Sequence, residues 1–320
     1  MQLGSGSPLL WGLFFLVVLV ALALDLGVFH RKAHEVSSRE AAVFTVVWVA
    51  LSLCFNAFIW WDLGPQKGLE FLTGYLIEKS LSVDNLFVMV LVFTSFAVPK
   101  IYQHRVLFWG ILGALVMRGA LILVGSQLVE RFHFVIYVFG GFLVFSGIRM
   151  LFAGEEEPEP QKNLALRTFR RFVPTTDKYE GQHFFVKRGE KRMATPLLAA
   201  LVVIEAMDLV FAVDSIPAIF AVTTDPYIVF TSNIFAILGL RAMYFLLANV
   251  IEKFVHLKIG LAIILSYVGV KMLISGWYKI PTYVSLAVIV GVLLTSVLTS
   301  LLATRREELL EKAAERKQES

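Results

Sequence analysis

Glu78-Lys-Ser-Leu-Ser-Val-Asp84-Asn85 and Glu205-Ala-Met-Asp208-Leu-Val-Phe-Ala-Val-Asp214-Ser215 set carboxylates in the middle of long apolar runs. Asp25 sits in a third such run. A carboxylate near the bilayer centre costs at least ~2.5–3.5 kcal/mol on insertion scales. A chain that accepts this cost repeatedly is expected to use the carboxylates. In a membrane that use is binding and moving a cation or a proton.

The surrounding sequence supports a membrane setting. The chain has 320 residues, of which 58% are hydrophobic and only 17% charged, and Phe alone accounts for 27. Apolar runs of about 20 residues recur, enough for a helix to cross a ~30 Å hydrocarbon core. The expected fold class is therefore all-α, a polytopic helical membrane protein. Nine spans are expected, at about 8–29, 41–61, 71–95, 105–125, 133–152, 196–222, 227–250, 257–276 and 282–303. The first is read as a retained helix, because no positive stretch precedes it and it is long for a signal-peptide core. The net charge of +4 is no sign of nucleic-acid binding, since the excess Lys and Arg lie in short loops.

Loop charge predicts the orientation. Arg31, Lys32, Arg39, Lys100, Arg105, the basic residues between Lys162 and Arg192, Lys253, Lys258 and the basic tail fall on one side. Lys67, Arg131 and Lys279 fall on the other. The N-terminus is expected outside and the C-terminus in the cytoplasm, in a plasma (inner) membrane. The long loop 153–195 and the tail 304–320 then lie in the cytoplasm. Within the loop, His183-Phe-Phe-Val-Lys-Arg-Gly189-Glu-Lys-Arg-Met-Ala alternates around a Gly. It reads either as a hairpin against the membrane face or as a disordered basic linker.

Two segments resemble each other. Glu78…Asp84 matches Asp208…Asp214, Ile111-Leu-Gly…Arg118 matches Ile237-Leu-Gly-Leu-Arg241, and Gly147-Ile-Arg149-Met-Leu matches Gly269-Val-Lys271-Met-Leu. The repeats are 71–152 and 196–276, three spans each, within a single membrane domain. An odd number of spans inverts the second copy. Inverted repeats are a recurrent transporter device, with the substrate site at their interface near the midplane.

On a straight helix Glu78, Ser82 and Asn85 share a face, as do Glu205, Asp208 and Ser215, whereas Asp84 and Asp214 lie about 120° away. Convergence of the whole set requires the second repeat or a helix distortion, for which Pro217 is a candidate. Carboxylates, an amide and hydroxyls make a hard, oxygen-rich donor set suited to Mn²⁺, Mg²⁺ or Ca²⁺. The expected metal-binding residues are Glu78, Asp84, Asn85, Glu205, Asp208, Asp214 and Ser215. Lys79, Arg118, Arg241 and Asp25 are expected as supporting charge, as counter-ions or snorkelling side chains. Arg149 and Lys271 are read as interface side chains. No His joins the clusters, and the single Cys54 lies in an apolar run, so soft-metal chemistry has little support.

The two acidic motifs, with Gly74-Tyr-Leu-Ile-Glu-Lys-Ser-Leu-Ser-Val-Asp84-Asn and Thr231-Ser-Asn-Ile-Phe-Ala-Ile-Leu-Gly-Leu-Arg241-Ala, resemble the TerC family. The chain looks most like the Alx branch of that family, from about residue 8 to 303. The resemblance implies manganese export from the cytoplasm, linked to alkaline pH. It implies a site at Glu78, Asp84, Glu205, Asp208 and Asp214. It also implies a transported ion rather than an enzyme or a permanently bound cofactor. The sequence does not give the driving force; proton antiport is a candidate, since closely placed acids can exchange a proton for a metal. Two other readings stand beside it. One is a tellurite- or stress-resistance factor acting through a partner. The other is an intramembrane aspartyl protease, which the five clustered acids and the absence of a Gly-x-Gly-Asp motif disfavour. The sequence sets no oligomeric state.

Overall fold

A computed structural model describes residues 4–27, 37–152, 163–176, 178–188, 191–248 and 256–318. Its helices are α1 (Pro8–Gly27), α2 (Ser38–Leu63), α3 (Pro65–Ser95), α4 (Lys100–Arg131), α5 (Phe134–Phe152), α6 (Leu164–Phe172), α7 (Pro196–Phe220), α8 (Pro226–Leu238), α9 (Leu240–Leu247), α10 (Leu257–Ile274) and α11 (Thr282–Gln318). Two short strands, β1 (Phe185–Arg188) and β2 (Lys191–Ala194), pair antiparallel. This is the hairpin alternative for the long loop. The amphipathic α6 beside it was not foreseen; its buried Leu166 faces the bundle.

Local chemistry fixes the helix starts. Pro opens α3, α7 and α8, where its missing N–H costs nothing and its φ suits the first turn. Ser37, Asn163 and Asp225 cap α2, α6 and α8 by accepting backbone N–H bonds.

Every expected span that falls on described residues is helical, but the count of nine is not reproduced. Seven helical segments are long and apolar enough to cross a membrane: α2, α4, α5, α7, α8–α9 together, α10 and α11. The apolar part of α1 is shorter, and α3 carries Glu78, Lys79 and Asp84 along its length. Its charges are tolerated because α3 packs against α2, α7, α8 and α11 at the centre of the bundle.

A second difference concerns the expected span 227–250. It is broken at Gly239 into α8 and α9, whereas α7 continues through Pro217 to Phe220. The interruption expected at Pro217 therefore falls instead in the neighbouring helix, at Gly239.

The packing follows an inverted repeat. With α3, α4 and α5 matched to α7, α8–α9 and α10, the pair α3·α8 corresponds to α4·α7, and both are extensive contacts. The self-matched pairs α3·α7 and α5·α10 also pack directly.

The α5·α10 crossing shows the symmetry at atomic detail. A Cβ on Gly140 would lie 2.9 Å from the Gly269 carbonyl oxygen, and one on Gly147 would lie 2.7 Å from the Ala262 carbonyl oxygen. A Cβ on Gly269 would lie 2.8 Å from the Val144 nitrogen, and one on Gly147 would lie 2.9 Å from the Ser266 nitrogen. Gly147 matches Gly269 in sequence, and the same register pairs Gly140 with Ala262 and Val144 with Ser266. Small residues let the two backbones touch, which is how helices gain packing energy where lipid removes the hydrophobic drive.

Candidate functional site

The first set of acids converges on one guanidinium. Arg118, on α4, is completely buried. It donates from Nε to Asp208 Oδ2 at 3.1 Å and from Nη2 to Asp208 Oδ1 at 2.8 Å. From Nη1 it donates to Ser215 Oγ at 3.2 Å and to Glu78 Oε1. Asn233 Nδ2 donates to the other Glu78 oxygen at 2.9 Å, and Asn85 Nδ2 reaches Asp208 Oδ1 at 3.4 Å. Four helices, α3, α4, α7 and α8, thus close a buried polar knot. The matched acids Glu78 and Asp208 meet on it from opposite repeats, as the inversion requires.

The second set lines a cavity of about 350 Å³ that reaches the knot. Asp84 and Asp214 both border it, with Asn85, Ser215 and Ser146 among the polar neighbours. Ser146 Oγ donates to Asp214 Oδ1 at 2.9 Å. Arg149 and Lys258 share the cavity; Arg149 acts electrostatically on Asp214 and Lys258 on Asp84. Arg149 is therefore a cavity residue rather than an interface anchor. The last turn of α5 and the first turn of α10 bring both bases to the side of the molecule that carries α6 and the hairpin.

A larger cavity, about 1180 Å³, opens on the opposite side. It is bordered by the start of α3, the α4–α5, α7–α8 and α10–α11 connections, and Lys271. Lys271, matched to Arg149 in the repeat, thus lines the other cavity. At this rim Lys67 Nζ lies 2.8 Å from Asp225 and 3.1 Å from Glu70, tying the start of α3 to the α7–α8 connection. Burial pushes the Asp225 carboxyl up, but hydrogen bonds from Lys67 and Ser5 and the Lys67 charge outweigh it and hold it below its ordinary range. Burial pushes the Lys67 ammonium down, and its bonds to Asp225 and Glu70 more than reverse this.

Other expected residues go elsewhere. Glu205 sits against Gly113 of α4, does not border either cavity, and has a buried Oε2 without a hydrogen-bond partner. Lys79 donates to the Ala236 carbonyl oxygen at 3.1 Å, one of the carbonyls at the end of α8 that the break at Gly239 leaves without a helical donor. A Cβ on Gly239 would come within 2.7 Å of that ammonium. Gly113 and Gly239 are matched in the repeat, and each receives a charged side chain from the first helix of the other copy. Arg241 is buried on α9 and borders neither cavity. Its match to Arg118 fails in space: Arg118 follows Gly113 by five residues and Arg241 follows Gly239 by two. Three residues turn a helical side chain by about 300° and move it one level along the axis. The Asp25 side chain lies outside the described residues.

Asn233 and Ser146 were missed by the sequence reading. Each is a neutral polar residue on an apolar span with no acid beside it, and only the packing of α8 against α3 and of α5 against α7 brings it to a carboxylate. Among the described residues no group of three or more His, Cys, Asp or Glu is arranged to hold a metal ion. Any ion here would draw on amide and hydroxyl oxygens as well as on paired acids.

Inverted three-helix repeats meeting at buried carboxylates define a polytopic helical membrane protein with its polar site between the copies. The family model described as "Integral membrane protein TerC family" matches residues 63–308, and the chain belongs to that family. It is 54% identical over 300 residues, 94% of each chain, to "Uncharacterized membrane protein STKORF319" of Myxococcus xanthus. It is 51% identical over 297 residues, 90% of this chain and 92% of the relative, to "Putative membrane-bound redox modulator Alx" of Escherichia coli K12. A membrane protein of Rickettsia bellii is 40% identical over 91% of this chain. No solved structure matches.

Proposed function

We propose that this protein exports a divalent cation, Mn²⁺ first among them, from the cytoplasm through the acidic site between its repeats. The observation that carries this reading is the convergence of matched acids: Glu78 and Asp208 on one guanidinium, Asp84 and Asp214 on one cavity. In this proposal the α6–hairpin side is cytoplasmic, as the loop charges predict, and the 350 Å³ cavity is the cytoplasmic vestibule. The ion enters it, loses water to Asp84, Asp214, Asn85, Ser146 and Ser215, and leaves through the larger cavity opposite. Mg²⁺ and Ca²⁺ suit the same hard oxygens.

Arg149 and Lys258 balance the two vestibule acids while no ion is bound. Arrival of a divalent ion moves these bases aside and displaces any proton the acids hold, and protonation of the acids on the far side releases the ion. This is the basis for proposing proton antiport rather than uniport. Thiol–disulfide exchange within the chain, a chemistry the relatives' redox description invites, needs two cysteines, and this chain has only Cys54.

The test is charge removal. Asp84→Asn and Asp214→Asn keep shape and delete one negative charge each, which weakens binding of a dehydrated divalent ion by several kcal/mol. Proteoliposomes should lose Mn²⁺ flux to near background, and manganese-loaded cells should retain more metal than with wild type. Normal flux in both variants would overturn the proposal.

A further inference from the structure

The buried knot sets two carboxyl groups around one permanent cation, one acid more than the guanidinium can neutralise. Without Arg118 it would present two carboxylates, the charge a divalent ion needs. It also presents oxygens that Arg118 does not use. Asn85 Oδ1 and Asn233 Oδ1 are buried and accept no hydrogen bond, although both side chains are almost wholly enclosed. A buried amide oxygen without a donor costs about 1–3 kcal/mol. A passing cation is the partner that would satisfy it. Asn85 and Arg118 both border the vestibule, so the guanidinium lies where an ion advancing from Asp84 and Asp214 would next arrive.

We infer that Arg118 is a tethered cation that occupies Glu78 and Asp208 in place of the transported ion, so that the ion must displace it to cross. The inference rests on the export reading and adds its gate. While the guanidinium is seated, four helices from both repeats are joined and no path runs between the two cavities. When an ion takes Glu78, Asp208, Asn85 and Asn233, Arg118 must swing away, and its return to the acids expels the ion. Arg suits this role better than Lys. Its planar fork engages Asp208 through two nitrogens and still reaches Glu78 and Ser215 through the third.

The experiment counts Mn²⁺ bound to the full chain in detergent, by the loss of the free-ion electron paramagnetic resonance signal. A thermal melt confirms that each variant is folded. Wild type is expected to bind one Mn²⁺, at Asp84 and Asp214. Arg118→Gln should bind two, Arg118→Lys should stay at one, and adding Glu78→Gln to Arg118→Gln should remove the second ion. One ion in folded Arg118→Gln overturns the tether and leaves the export reading standing. No ion in folded wild type overturns both.

Because Arg118→Gln exposes two buried acids to each other, a second variant keeps the knot's excess of acids over cations unchanged. Arg118→Gln with Asp208→Asn retains one acid in excess, as in wild type, but has no tethered cation. In liposomes it should leak Mn²⁺ down its gradient at least tenfold faster than wild type. A tight, non-leaking double variant overturns the gate.

Discussion

Asp208→Asn separates the two kinds of acid. Asp208 Oδ1 lies 2.8 Å from Arg118 Nη2, and both side chains are buried. At an effective dielectric constant of 20 the Coulomb attraction at that distance is about 6 kcal/mol. Part of it only offsets the desolvation of the two groups, and removing one partner of a buried pair costs about 3–5 kcal/mol in practice. The Asn side chain still offers one acceptor, and Glu78 still faces the guanidinium, so the low end, about 3 kcal/mol, is expected. That is roughly a hundredfold in the folded-to-unfolded ratio. The assay is denaturation in mixed micelles of increasing sodium dodecyl sulfate, followed by tryptophan fluorescence, beside Asp84→Asn. Asp84 borders an open cavity, so its variant should lose Mn²⁺ flux with a far smaller loss of stability. If Asp208→Asn proved as stable as wild type, the knot would not be the structural junction of the four helices. If Asp84→Asn were destabilised as much, the division into knot acids and vestibule acids would be wrong.

Gly140→Leu should push α5 off α10 and lower the denaturation midpoint, whereas Gly141→Ala, with nothing within 4 Å of its Cβ position, should leave it unchanged; equal midpoints would refute the close α5·α10 crossing. The Lys67–Asp225 tie predicts a pH signature. Asp225 is held below its ordinary 3.8, so its contribution is present above that value and is lost as pH falls through the lowered one. Lys67 is raised above 10.5, so its contribution is present below that value and is lost as pH rises through the raised one. Asp225→Asn should therefore lower the thermal midpoint at pH 7, and the difference from wild type should close in strong acid; a difference constant across pH would refute the pairing. In a Cys54→Ser background, Asn163→Cys and Lys279→Cys should label from opposite sides of sealed cells, and same-side labelling would reject the proposed topology.

Much of the architecture was legible in the sequence because its causes are local and periodic. Runs of apolar residues with isolated acids specify membrane helices, since backbone groups in lipid must be satisfied within the segment. The spacing Glu78…Asp84 against Asp208…Asp214, and Gly147 against Gly269, exposed the repeat, because duplicated helices keep their intervals. The three-span unit then required inversion. What the sequence alone could not do was assign partners. Seven candidate ligands formed one list, and only the packing of α3, α4, α7 and α8 divided them into a knot around Arg118, a vestibule pair at Asp84 and Asp214, and Glu205 set apart against Gly113. Arg118 and Arg241 looked equivalent in order along the chain, yet a three-residue difference in spacing sends one into the knot and leaves the other on α9. Asn233 and Ser146 gave no signal until a neighbouring helix brought an acid to them. Helix positions follow from side-chain period and solvent, which each segment carries in itself. Side-chain partnerships depend on crossing distance and rotation between helices, which small residues such as Gly140 and Gly269 set only once the bundle is assembled.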